Sequence, residues 1–175
     1  MKKRVNKFFY FGMLAFVLAS LLVMGPPPKH SHADGADKLI VISLSEQTLY
    51  AFEDGEEVFE TAITSGQPAL PTPTGNFSIF YKQSPMTFYS PWGKSSPYYY
   101  PPTTVSYAME FAGGGYFIHD APWRNEFGEG TNTEHYEEES DETVTGSHGC
   151  VNMAVDDAGW LYNWAPVGTP VQVKE

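Results

Sequence analysis

The sequence predicts a mainly β fold, a sandwich or open barrel with one short C-terminal helix. Three observations predict it: apolar runs of strand length recur along the chain, Gly and Pro punctuate them, and a single segment carries the length and flanking signals of a helix.

Leu39-Ile40-Val41-Ile42 and Thr48 to Phe52 are β-branched or aromatic runs and read as strands. Glu53-Asp54-Gly55-Glu56 is a hairpin turn leading into a strand from Val58 to Thr64, so the domain opens as a meander. A proline-rich link from Pro68 to Pro73 precedes Gly75-Asn76 and an alternating strand from Phe77 to Tyr81. From Gln83 to Pro102 the prolines and the run Tyr98-Tyr99-Tyr100 suit an aromatic flap better than a regular element. Val105 to Phe111 and Tyr116 to His119 are two further strands separated by Gly113-Gly114-Gly115, a hairpin turn that lacks the lysine and helix of a phosphate loop. Residues from Asp120 to Gly146 show no periodicity and read as a loop, whose acidic cluster (Glu134, Glu137, Glu138, Glu139, Asp141, Glu142) is a solvated charge run with no standard calcium spacing. The helix runs from about Val155 to Trp164, with Asp156 and Asp157 near its positive N-terminus and Pro166 and Gly168 stopping it. Pro170 to Val173 makes a closing strand.

Lys2, Lys3, Arg4 and Lys7 precede an unbroken apolar stretch from Phe8 to Met24, and small residues at Ser31 and Ala33 suit a signal peptidase. Residues 1–33 therefore read as a signal peptide cleaved before Asp34, with a retained membrane anchor as the alternative, and residues 34–175 as one exported domain. The whole chain carries a formal net charge of −11, and loss of the leader removes five cations and no carboxylate. Such a surface repels nucleic acid and anionic lipid, leaving the N-terminal segment as the one membrane contact expected, and keeps an exported monomer soluble.

Cys150 is the only cysteine, so no intramolecular disulfide forms. A lone thiol outside the cell is exposed to oxidants, and the competing explanations are an inert buried residue or a nucleophile. A free thiol is mostly protonated near neutral pH and needs a base. No histidine follows Cys150, so the base lies upstream: His119 at a strand end, His148 two residues from the thiol, or His135 among loop carboxylates, where it is solvated. Papain-like enzymes place the cysteine before the histidine, and sortase-like enzymes need an arginine after it; this chain fits neither order. Zinc held by Cys150, His148 and His119 lacks the ligand spacing of structural sites, so neither metal nor organic cofactor is expected.

His119-Asp120-Ala121-Pro122-Trp123 followed by Ser147-His148-Gly149-Cys150-Val151-Asn152 resembles the signature of the L,D-transpeptidase catalytic domain, or YkuD, family. Gln47-Thr48-Leu49-Tyr50, Asp54-Gly55 and Pro71-Thr72-Pro73-Thr74-Gly75-Asn76-Phe77 resemble the same family's N-terminal strands, so the likeness runs from about Leu39 to Val173. It implies that family's β-sandwich, with Cys150 as nucleophile, His119 as base and the backbone carbonyl of Asp120 orienting the ring. Backbone amides around Gly149 and Cys150 would form the oxyanion site. His148 would stand beside the catalytic pair, Ser147 and Asn152 would shape the pocket, and Trp123 and Tyr116 would wall it for substrate. The partners implied are peptidoglycan stem peptides as donor and acceptor, with D-alanine released through a thioester, and acylation by carbapenem-type β-lactams. An L,D-carboxypeptidase, a non-catalytic wall-binding module and a metalloprotein are the rival functions. The loop between His119 and Cys150 is longer than is common in the family.

Overall fold

The computed structural model describes residues 37–175, so the leader read over residues 1–33 lies outside the described residues. The order of elements is β1 (Lys38–Ser43), β2 (Thr48–Glu53), β3 (Glu56–Ala62), β4 (Gly75–Ser78), β5 (Tyr81–Gln83), β6 (Met86–Phe88), β7 (Thr103–Val105), β8 (Ala108–Ala112), β9 (Tyr116–Asp120), β10 (His135–Glu137), β11 (Glu142–Val144), β12 (Val151–Met153), α1 (Val155–Trp164) and β13 (Pro170–Lys174). The fold is mainly β with one short helix, as the sequence predicts.

One sheet runs β3-β2-β1-β13-β4, and the other runs β12-β9-β8-β5. Asp54 at φ +53° and Gly55 at φ +85° make the predicted turn between β2 and β3, the pair of positive angles that a two-residue hairpin twisting with its strands requires. The closing strand β13 lies parallel to β1 and antiparallel to β4, so the C-terminus locks the opening meander to the next strand. Its alternation puts Val171 and Val173 inside and Pro170, Gln172 and Lys174 outside.

The two sheets share one core. Ile40, Ile42, Leu49, Ala51, Val171 and Val173 from the first sheet meet Met109, Phe111, Ile118, Val151 and Met153 from the second, with Ala158 and Leu161 of α1 in the same buried cluster. Burial of each large aliphatic side chain is worth roughly 1.5–3 kcal/mol, so this seam is the main support for the strands that carry the site. The helix ends without a basic residue in its last turn, and distant lysines supply the missing charge. Lys82 Nζ donates to the Ala165 carbonyl at 2.6 Å, and Lys38 Nζ donates to the Trp164 carbonyl at 2.8 Å, both at the negative end of the dipole.

Four sequence expectations change. The strand expected from Phe77 to Tyr81 breaks at Ile79 and Phe80, whose amides bond to Thr169 and Glu110 respectively: here the chain leaves the first sheet for the second. The strand expected from Val105 to Phe111 breaks at Ser106 and Tyr107, because their N–H groups go to the buried Asp120 carboxylate at 3.0 and 2.7 Å. The flap between Gln83 and Pro102 stands on a two-stranded ribbon, β6 with β7, and is not wholly irregular. The long loop after Asp120 contains the hairpin β10–β11, and its acidic run is not uniformly solvated, since Glu137 is 1% exposed and faces a half-buried His135 at 3.9 Å. Thr131 pins the loop to the segment after β3 through the Thr64 hydroxyl at 2.7 Å, and the Gly128 N–H bonds the Ile63 carbonyl at 2.8 Å.

Candidate active site

β9 and β12 lie side by side in parallel, with Asn152 opposite His119. Asn152 looks the same way as its register partner His119, and Cys150 lies in the turn directly ahead of β12. All three line one cleft of about 550 Å³, whose walls include Phe88, Trp92 and Tyr100 of the flap, Tyr116, Trp123 and Arg124. The distant histidine of the sequence is thus delivered to the thiol's cleft by strand pairing rather than by the loop between them. The His119 ring lies between Phe88 and Trp123, with centroids at 5.0 and 6.1 Å.

The hydrogen bonds fix the tautomer of His119. Arg124 has only donors, so its Nε must donate to Asn152 Oδ1 at 3.1 Å, which turns the Asn152 amide N–H toward His119 Nε2 at 3.0 Å. Nε2 therefore accepts, and the ring proton sits on Nδ1, which donates to the Asp120 carbonyl at 2.8 Å. Burial pulls the His119 pKa below its usual value; the Asp120 carbonyl and carboxylate oppose that, and the Arg124 charge adds to it. The Cys150 residue keeps some exposure to the cleft, yet the apolar packing of Phe88, Val105 and Phe117 around it pushes the thiol up to about 11. Its sulfur lies 3.6 Å from the Gly115 carbonyl, an acceptor that suits S–H and repels a thiolate. Burial of both groups thus favours a neutral imidazole and a thiol over an ion pair.

The segment from Ser147 to Cys150 is held from three sides. The Gly149 N–H donates to Ser147 Oγ at 3.0 Å, and that hydroxyl donates onward to the Cys150 carbonyl. Thr64 and Asn152 exchange both backbone hydrogen bonds, at 2.8 and 2.9 Å, joining the end of β3 to β12. Thr72, buried in the proline-rich link, donates its hydroxyl to the Gly149 carbonyl and accepts the Gly66 N–H, both at 2.9 Å. Gly66 has no room for a side chain there, since a Cβ would meet the Leu70 carbonyl oxygen at 2.3 Å. Thr72→Val keeps the shape and deletes both bonds, leaving a buried carbonyl and amide unpaired. It is expected to cost about 1–3 kcal/mol, read as a lower melting temperature, with a slower reaction of Cys150.

The remaining predicted residues fall as follows. Tyr116 stands against Gly149, Trp123 is half exposed on the cleft wall, and Ser147 ties the turn without facing His119 through any hydrogen bond. His148 lies under the flap, its ring 5.3 Å from both Trp92 and Tyr100, and burial followed by the Arg124 charge lowers its pKa. Of the two amides expected at an oxyanion site, that of Gly149 is already occupied by Ser147. Sequence reasoning missed Arg124, Thr72 and the Asp120 carboxylate. A threonine inside a family-like segment is the one signal among these that the sequence offered, and a lone arginine in a polar loop offers none. Among the described residues no cluster of three or more His, Cys, Asp or Glu side chains is arranged to hold a metal ion.

A parallel β9–β12 pair, with a histidine on one strand and a cysteine just ahead of the other lining one cleft, defines a β-sandwich with a histidine–cysteine site. The L,D-transpeptidase catalytic domain (YkuD) family matches residues 37–173, and the chain belongs to it. Among curated relatives, L,D-transpeptidase 1 of Mycobacterium tuberculosis is 30% identical over 143 residues, covering 78% of this chain and 51% of that protein. The chain thus spans about half the length of that relative. An L,D-transpeptidase from Mycobacterium smegmatis superposes with a TM-score of 0.65 at 30% identity, over 81% of this chain and 60% of the other. The L,D-transpeptidase LdtMt1, solved in complex with imipenem, gives a TM-score of 0.66 at 27% identity, over 80% and 60%.

Proposed function

We propose that the protein is an exported cysteine L,D-transpeptidase that cross-links or modifies peptidoglycan stem peptides through a thioester on Cys150. The observation that carries this reading is that Cys150, Asn152 and His119 line one cleft, with the Asp120 carbonyl holding the ring proton on Nδ1 so that Nε2 is the ring's acceptor, capped at rest by the Asn152 N–H that the thiol must displace. Cys150 Sγ attacks the carbonyl that precedes the terminal D-alanine of a stem tetrapeptide while His119 Nε2 takes the thiol proton. The oxyanion falls to the Cys150 N–H, since Ser147 already holds the Gly149 amide. The C–N bond then breaks, His119 returns the proton to the departing D-alanine amine, and a thioester remains. An amine of a neighbouring stem attacks that thioester with His119 again as base, and the sulfur leaves and is reprotonated. No step calls on a cofactor.

The cleft of about 550 Å³, walled by the aromatic side chains Phe88, Trp92, Tyr100 and Trp123, suits a peptide. The similarity to a relative solved with imipenem supports acylation of Cys150 by carbapenem-type β-lactams as well. Intact-mass analysis with stem tetrapeptide tests the reading. Wild type is expected to gain the mass of the acyl tripeptide, and Cys150→Ala to gain none. Wild-type protein that stays unmodified by both tetrapeptide and imipenem returns the chain to a wall-binding role. Trimmed monomer without cross-linked dimer identifies an L,D-carboxypeptidase instead.

A further inference from the structure

We infer that the groove beside the β10–β11 hairpin is the acceptor subsite of the reaction, where a chain bearing a primary ammonium lies along the unpaired edge of β11 on its way to the Cys150 thioester. This rests on the transpeptidase reading for the identity of the reaction and on the hairpin's own geometry for the site. A second cavity of about 330 Å³ adjoins the catalytic cleft, with Glu134, Thr143, Val144 and Thr145 on its hairpin side. Consecutive residues of a strand point to opposite faces, so a wall that takes Thr143, Val144 and the following Thr145 in a row meets the strand edge-on. Among the described residues β11 pairs with β10 alone, which leaves that edge with N–H and C=O groups free to pair. Such an edge accepts an extended peptide through main-chain hydrogen bonds. The free run stops at Thr145, whose carbonyl is already taken by Arg124 Nη2 at 2.5 Å.

Two features assign the acceptor rather than the donor to this edge. The first is continuity: Trp123, Arg124, Gly146 and His148 line both cavities, whereas His119 and Cys150 line the catalytic cleft and not the groove. The groove therefore leads to the thioester past Trp123 and His148 while the donor's acyl chain fills the first cavity, so the two substrates do not compete for space. The second is charge. The donor's reacting end is the carboxylate of its terminal D-alanine, whereas the acceptor brings an ammonium. Glu134 stands exposed on the groove wall, and Glu142 at the start of β11 is exposed as well. Arg124 is the only lysine or arginine between Asp120 and Cys150, and it is committed to Asn152 Oδ1 and the Thr145 carbonyl. A field of this sign raises the local concentration of a cation and lowers that of an anion. At the inner end the ammonium gives one proton to solvent and attacks as the amine. The C–N bond forms, the C–S bond breaks, and the second proton passes by way of His119 Nε2 to the sulfur.

The purified full chain tests this with two substrates. Stem tetrapeptide is the donor, and the tripeptide that lacks D-alanine, its side-chain amine free, serves as acceptor only; their cross-linked product is read by mass. Glu134→Gln is expected to raise the tripeptide concentration for half-maximal cross-linking about two- to fivefold at low ionic strength, the range of an exposed ion pair, with the difference shrinking in about 0.5 M salt. Thr143→Arg, at an exposed position, adds bulk and a like charge to the groove and is expected to raise it about tenfold. Acylation of Cys150 by imipenem is expected to keep the wild-type rate in both. An acceptor response unchanged in both variants, or acylation slowed as much as cross-linking, overturns the inference. A separate arm uses full-chain Cys150→Ala, where no thioester forms. The tripeptide is expected to shift the backbone amide NMR signals of Thr143, Val144 and Thr145, and the same tripeptide acetylated on its amine to shift them less. Signals that move only around Phe88 and Tyr116, or move equally with both tripeptides, overturn it too. Wild-type protein that neither tetrapeptide nor imipenem acylates refutes the transpeptidase reading, and the Cys150→Ala titration still decides whether the groove holds an amine-bearing chain.

Discussion

His119→Gln is expected to slow acylation of Cys150 about 10²–10⁴-fold near neutral pH, the usual share of a positioned general base. The loss follows from the resting state of the pair. Because the thiol is pushed up to about 11, its unassisted thiolate fraction at pH 7 is on the order of one part in 10⁴. The neutral imidazole makes up that deficit by taking the proton as the S–C bond forms.

The pH dependence carries the sharper test. In the wild type the base works when neutral, and the His119 pKa lies below its reference value of 6.5, so activity is lost only as pH falls through that lowered value. Above it the rate should stay level across neutral pH. In His119→Gln the level region disappears and the rate climbs tenfold per pH unit toward the thiol's own ionisation, at about 11. Stopped mass measurements of the imipenem adduct between pH 5 and 10 read both profiles. A variant that keeps the wild-type level region removes His119 from the mechanism and passes the role to another group, with His148 the first to examine.

The pair of residues at the centre was legible because it is chemical punctuation: one cysteine, few histidines, and a Ser-His-Gly-Cys-Val-Asn run that fixes their order. The strands were legible where apolar residues alternate, as in β13, or where a turn is spelled out by Asp54-Gly55. The supporting contacts were not legible, and the reason is physical. Glu137 sits among Glu134, Glu138 and Glu139, which are exposed, and β10 is three residues long, too short for alternation to single out its buried member. Arg124 acquires its meaning only from where β12 brings Asn152, 28 residues away. The Asp120 carboxylate breaks a strand by capturing amides 13 and 14 residues upstream, which no local propensity records. Local pattern gives the strands and the reactive atoms, whereas tertiary contacts between distant polar groups set how those atoms are poised.

Gly149→Ala carries the other large effect, and two separate penalties cause it. The residue holds φ at +107°, a conformation that an L side chain resists at about 1–3 kcal/mol. Its added Cβ would also come within 2.7 Å of Tyr116 Cε1 and 3.2 Å of Cδ1, so the tyrosine ring or the turn must shift. Tyr116 has a way out, since it lines the open cleft, but the turn is tied by Ser147, Thr72 and the Cys150 carbonyl. The expected outcome is a folded protein that is several kcal/mol less stable, with acylation of Cys150 down by about 10²-fold, because the amide that faces the oxyanion moves with the turn. The double variant Gly149→Ala with Tyr116→Ala distinguishes the penalties. Removal of the ring is expected to restore part of the melting temperature, that of the steric contact, and little of the rate, because the backbone strain at residue 149 remains. Full recovery of the rate would show that the ring's position, not the amide's, limits the reaction, and would move the oxyanion contact away from this turn.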